Sequence, residues 1–250
     1  MTDKEHKPEG EERTAEERRD AAEARQIQMQ TLDLGGGMPV GKRGERFQCV
    51  PIIGQIEGHY LLPEGQKATK YEQLIPLLVS IEESDEVDGL LLILNTMGGD
   101  VEAGLALAEM IASMSKPTVS LVLGGGHSIG VPLATATDYS LIVPSATMMV
   151  HPVRISGLVV GVPQSFRYMS EMQKRIVTFI CDHSKAKRED VEALMMRPDQ
   201  MATDCGSILE GQEAVDHGII DEVGGLKRAL EVLRSRISES SQKTDHAIKS

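Results

Sequence analysis

The sequence predicts an α/β fold in which helices pack on a mainly parallel sheet. Three observations carry that reading. Short apolar runs, GLLLIL over 89–94 and TVSLVL over 118–123, have the near-continuous hydrophobicity of strands covered on both faces. Stretches with apolar residues at helical spacing lie between such runs. Glycine-rich turns join both runs to the helix that follows, giving a strand–turn–helix unit that recurs along the chain.

In chain order, 50–56 reads as a strand. Residues 71–83 read as a helix whose Leu74, Ile75, Leu77, Leu78 and Ile81 share one face. The strand over 89–94 leads into a helix over 101–114, and the strand over 118–123 into a short helix over 128–137. Strands over 139–143 and 147–150 follow. A long amphipathic stretch from 163 to about 184 precedes a second helix over 188–196. The closing unit is a helix over 211–217, a strand over 219–223 and a helix over 226–237. No internal repeat is visible.

Residues 1–26 are almost wholly charged or small. They bury too little apolar surface to offset the entropy of ordering, so a disordered or loosely helical arm is expected. A glycine-rich, basic link follows over 35–46. The expected organisation is therefore an N-terminal arm and link over 1–46, a folded domain over 47–237 and a flexible polar tail over 238–250.

The formal net charge of -12 argues against a nucleic-acid binder, which carries a basic patch or stripe. Trp is absent and Phe and Tyr are few, so aliphatic residues and Met must fill the core. Cys49, Cys181 and Cys205 are widely spaced and form no C-x-x-C pair. That disfavours a disulfide framework or a structural zinc site and fits a reducing cytosol. The charged N-terminus is unlike a secretory signal, and no apolar run approaches the roughly 18 residues that span a bilayer. A cytoplasmic protein without a transmembrane segment is expected.

The informative segments are the two glycine-rich turns: Asn95-Thr96-Met97-Gly98-Gly99-Asp100, and Gly124-Gly125-Gly126-His127-Ser128-Ile129-Gly130. Glycines there leave backbone N–H groups unobstructed beyond the strand ends, where ligands bind in open α/β sheets. Neither turn has the phosphate-binding G-x-x-x-x-G-K-[ST] pattern or the dinucleotide G-x-G-x-x-G pattern. Glycine clusters usually just reverse the chain. What raises the second turn is Ser128, expected at the first turn of a helix with its oxygen exposed beside the positive end of the dipole. That position suits a nucleophile that must become an alkoxide. A serine nucleophile needs a base, and His151, closing the apolar run Met148-Met149-Val150, is the candidate. His127 is nearer in sequence, but neighbours on a turn point apart. The other histidines show no metal-ligand spacing, so neither metal nor cofactor is expected.

The order of these strings resembles the proteolytic subunit of the Clp protease family. That family carries an N-S-P-G-G turn, a G-x-A-S-M-G nucleophile turn, an M-I-H-Q-P histidine segment and a closing E-A-V-x-x-G-L-V-D. Here the matching strings are NTMGG (95–99), GGGHSIG (124–130), MMVHP (148–152) and EAVDHGIID (213–221). Together they extend over about 47–230. The resemblance implies a crotonase-like fold of repeated β-β-α units with a protruding handle helix over 163–184. It also implies a serine endopeptidase working inside stacked homo-oligomeric rings on peptide or unfolded protein substrates. Carried over by position, Ser128 is the nucleophile, His151 the base, and the N–H groups of Gly99 and Ile129 the oxyanion hole.

A triad also needs a carboxylate beyond the histidine. Upstream of the closing helix stand Asp199 and Asp204; Asp190, at a helix start, is explained by capping. The resemblance assigns the acid to Asp204, the nearest before the closing motif, although it lies further back than the family spacing. Met97 replaces the family's Pro, His127 replaces its Ala, and the charged arm is longer. These departures are similar to those of a divergent, TepA-like (translocation-enhancing) subgroup and leave an ATP-dependent unfoldase partner open. Two other readings stand beside the peptidase: a ring-forming scaffold or adaptor without catalysis, and an acyl-CoA enzyme that uses the same oxyanion hole.

Overall fold

The computed structural model describes residues 44–63, 65–154, 161–198 and 205–249. The arm over 1–26 and most of the link over 35–46 lie outside the described residues. Where the link ends, Arg46 is fastened to the domain. Its guanidinium pairs with Glu86, and its backbone N–H donates to the Asp88 carboxylate at 2.7 Å.

Strand β1 (Phe47–Glu57) pairs in parallel with the short β2 (Ala68–Lys70) on one side and with β3 (Gly89–Gly99) on the other. Strand β4 (Thr118–Gly126), β5 (Tyr139–Ile142) and β8 (Glu222–Val223) continue the parallel sheet in the order β2-β1-β3-β4-β5-β8. A second small layer branches from the end of β4. There Gly125 pairs with Thr147 of β6 (Thr147–Val150), and β6 runs antiparallel to β7 (Ser207–Glu210). β2 and β7, three and four residues long, escape sequence reading because neither carries an apolar run.

Helices cover both faces. On one face lie α1 (Tyr71–Glu83), α2 (Val101–Ala112) and α3 (Gly130–Thr135). They bury Leu74, Leu78, Leu105 and Leu133 with Ile52, Leu92, Leu94 and Val122 of the strands. On the other face α7 (Leu226–Lys249) buries Ala229, Leu233 and Ile237 with Phe47, Leu91, Val119, Leu121 and Leu141. Alternate residues of β3 and β4 thus enter different clusters, which is why both strands read as near-continuous apolar runs. Each such Leu, fully buried, contributes about 1.5–3 kcal/mol.

Several boundaries differ from those the sequence predicts. β3 runs on through Gly99 because Gln55 and Ile56 of β1 still pair with Gly98 and Gly99, and β4 runs on to Gly126 because Gly125 and Gly126 pair with Thr147 and Thr96. The helix after Ser128 starts at Gly130, because Ser128 has φ 57°, which a right-handed helix excludes. The last helix continues past 237 to Lys249. No Gly or Pro interrupts it there, and the Ser238 and Ser241 hydroxyls donate to the carbonyls of Arg234 and Ile237 at 3.0 Å.

The stretch read from 163 to about 184 is α4 (Val162–Asp182), followed by α5 (Arg188–Met195) and α6 (Gly211–Asp216). α4 is divided along its length. Met172, Ile176, Val177, Phe179 and Ile180 are buried, whereas Val162, Phe166 and Tyr168 near its start are exposed. Among the described residues, no helix is long and apolar enough to cross a membrane.

Candidate active site

The site forms where β3 and β4 end. Asn95 and Thr96, the first polar residues after the GLLLIL run, bind the two strand ends to each other and to β1. Asn95 Oδ1 accepts the Gly125 N–H at 2.9 Å. Thr96 Oγ1 donates to the Gly54 carbonyl at 2.6 Å and accepts the Gly98 N–H at 3.1 Å, while its carbonyl accepts the His127 N–H at 3.1 Å. Neither residue stands out by type in the sequence. The available signal was a change from apolar to hydrogen-bonding side chains just before the glycines.

Ser128 is the one described non-glycine residue with positive φ. Such a backbone costs about 1–2 kcal/mol, and local bonds hold it. The Ser128 N–H donates to Met149 of β6 at 2.8 Å, and the Gly130 and Val131 N–H groups bond back to His127 and Ser128 at 2.8 and 3.0 Å. Gly98 faces Ser128 closely: a Cβ there would lie 2.7 Å from the Ser128 Cβ and 2.9 Å from the His127 carbonyl oxygen. Ile129, 1% exposed, is locked from the other side by α2, where a Cβ on Gly104 would come within 2.3 Å of its Cγ1.

His151 follows β6 and precedes Pro152, which confines it to extended backbone. Its Nδ1 lies 2.7 Å from the Pro152 carbonyl oxygen. Nδ1 therefore carries the proton and donates it, and Nε2 is left as the acceptor. Ser128, His151, Gly99 and Ile129 line one cleft of about 230 Å³, walled by apolar side chains including Met97, Val150, Ile176 and Met195. The Asp100 N–H bonds to the Ile56 carbonyl of β1 at 3.0 Å.

Asp199 and Asp204 lie outside the described residues. Asp190 lies in the first turn of α5 but does not cap it: the N-cap is Lys187 and no side chain bonds to the free N–H groups, so the Asp190 carboxylate is left to favour the helix through the dipole alone. His127 is half-buried, and burial pushes its imidazole pKa below the ordinary value, with the charge of His151 adding to the shift. The cysteines are free thiols, and burial raises those of Cys49 and Cys181. Among the described residues, no group of three or more His, Cys, Asp or Glu could hold a metal ion.

A family model described as Clp protease matches residues 44–227. The chain belongs to the Clp protease family. It is 53% identical over 193 residues to the translocation-enhancing protein TepA of Halalkalibacterium halodurans, covering 77% of this chain and 75% of that protein. It is 27% identical over 140 residues to the ATP-dependent Clp protease proteolytic subunit 1 of Chlamydia abortus, covering 54% of this chain and 69% of that one. The fold is that of a solved ClpP1 variant from Listeria monocytogenes, with a TM-score of 0.57, 22% identity, and coverage of 73% of this chain and 94% of the other. The crotonase-like, ClpP-type architecture expected from the sequence is therefore the observed one. Within this Clp protease scaffold Met97, where the family pattern has Pro, stands 64% exposed at the cleft.

Proposed function

We propose that this Clp protease family member is a serine endopeptidase with Ser128 as nucleophile and His151 as general base. The observation that carries this reading is the cleft itself, in which a serine with φ 57°, a histidine and the two candidate oxyanion residues face the same space. In the proposed reaction the Ser128 Oγ attacks the scissile carbonyl while His151 Nε2 takes the hydroxyl proton. The oxyanion is held by the N–H groups of Gly99 and Ile129. Collapse breaks the C–N bond, and His151 returns the proton to the leaving amine. Water, deprotonated by His151, then releases the acyl group from Ser128. The bond from Nδ1 to Pro152 supports this by keeping Nε2 free of its proton. Asp204 is the proposed third member of the triad.

The substrate class is a peptide or an unfolded segment reached inside a homo-oligomeric ring in the cytoplasm. The exposed start of α4 supports an assembly role, since Val162 and Phe166 are 71% and 72% exposed. A second reading, a binding scaffold, is supported by the name of the TepA relative, which describes enhanced translocation and not hydrolysis. Labelling the purified protein with a fluorophosphonate separates the two. Adduct on Ser128, lost in Ser128→Ala, is the expected result, and an unlabelled Ser128 in the assembled protein favours the scaffold.

A further inference from the structure

We propose that His127 is a positioning residue for Ser128 that works only while its imidazole is neutral, so that a second proton taken up beside the nucleophile disables the site. The inference rests on the reading of Ser128 and His151 given above. His127 is clamped between the two strand ends. Its N–H donates to the Thr96 carbonyl at 3.1 Å, and its carbonyl accepts the Gly130 N–H at 2.8 Å. Its ring lies against Gly125, where a Cβ would come within 2.8 Å of Nε2.

Its Nδ1 is buried and has no hydrogen-bond partner among the described residues. A neutral imidazole leaves only a bare acceptor at that nitrogen. An imidazolium would place a charged N–H there with nothing to receive it, and the ring would have to leave its seat. Leaving that seat pulls on the adjacent Ser128, whose left-handed backbone depends on the same turn. Neither the glycine string 124–126, whose Gly125 lies against the ring, nor the strand end 95–98, which meets the His127 backbone, carries an ionisable side chain. Asp100 is engaged on the N-terminus of α2, accepting from Ala103 at 2.9 Å. The titratable group that acts on His127 is His151, and the two disfavour each other's charge. His151 must become an imidazolium when it takes the Ser128 proton, so a neutral neighbour is required at that moment.

Two measurements on the full chain test this. The first is the pH dependence of fluorophosphonate labelling in wild type, His127→Ala and His127→Gln. In wild type the acid limb should approach a fall of about 100-fold per pH unit, the mark of two protons, and in both variants about tenfold. Superimposable profiles overturn the proposal. The second is NMR of the His127 ring and the Ser128 amide in Ser128→Ala protein, which needs no activity. The ring should titrate below the ordinary histidine value of about 6.5, and the residue 128 amide should shift with the same midpoint. A midpoint at or above that value, or an amide that ignores the titration, overturns the proposal. Absence of labelling at every pH would instead overturn Ser128 as nucleophile, and the NMR titration would then decide the positioning role alone.

Discussion

The backbone N–H of Ser128 donates to the carbonyl of Met149 at 2.8 Å, two residues before His151. One bond thus joins the turn bearing the proposed nucleophile to the strand that leads into the proposed base. The two side chains are brought to one cleft by backbone geometry, and either can be truncated without touching that bond. Ser128→Ala and His151→Ala should each lower peptide hydrolysis on the order of 10³-fold or more while leaving melting temperature and assembly unchanged. Full turnover in either purified variant removes the assignment.

Gly98→Ala should uncouple activity from folding. Its Cβ would press within 2.7 Å of the Ser128 Cβ, at a residue whose φ of 92° already disfavours a side chain. Overpacking of this kind costs about 1–3 kcal/mol. A displacement of the nucleophile by about 1 Å costs on the order of 10²-fold in rate. Steady-state kinetics alongside thermal melting checks this; unaltered kcat would show that Gly98 leaves Ser128 undisturbed.

The exposed apolar start of α4 should govern assembly. Phe166→Glu, alone or with Val162→Glu, places charge on a surface that no described part of the chain covers. Sedimentation velocity at micromolar concentration should show the wild type as a large homo-oligomer and the variants as smaller species. A clean wild-type monomer counts decisively against the ring.

Asp221 should make stability sensitive to acid. Burial raises its carboxyl pKa, but donors outweigh burial and hold it below the usual range. Lys185 donates at 2.8 Å, and the Ser140 N–H and hydroxyl both donate at 3.0 Å. A carboxylate with a depressed folded pKa contributes stability above its unfolded pKa of about 3.9 and loses it as pH falls through the lower folded value. Asp221→Asn should therefore cost about 1–3 kcal/mol at neutral pH, and its deficit should shrink on acidification below about pH 4. Thermal melts of both proteins across that range decide it, and a deficit that grows with acid contradicts the sign.

Asp204→Asn should lower turnover far more than Asp199→Asn, with little change in oligomer size. A triad acid holds the histidine tautomer and stabilises the imidazolium. Measured kcat for the two variants, with sedimentation as control, is the check. Greater damage from Asp199→Asn moves the acid to that position, and no effect from either leaves a dyad oriented by the Pro152 carbonyl.

The sequence by itself determined the α/β class, the helix over 71–83, the strand over 147–150 and the residue types of the candidate site. Apolar periodicity is a local property, and the glycine strings, Ser128 and His151 stand out as residue types without knowledge of contacts. It also carried the family, through four motifs kept in order. The tertiary structure alone decided what those residues share. Asn95 and Thr96 act only because β3 and β4 end side by side. Ser128 holds φ 57° because Met149, distant in sequence, accepts its N–H, and because Gly98 on another strand leaves room for it. The 163–184 stretch has one period throughout, yet its second half is core and its start is exposed, since burial depends on whether a neighbouring element is present. Periodicity records which face of an element is apolar, whereas long-range backbone bonds and close approaches record what that face meets. The latter exist only once the chain has folded.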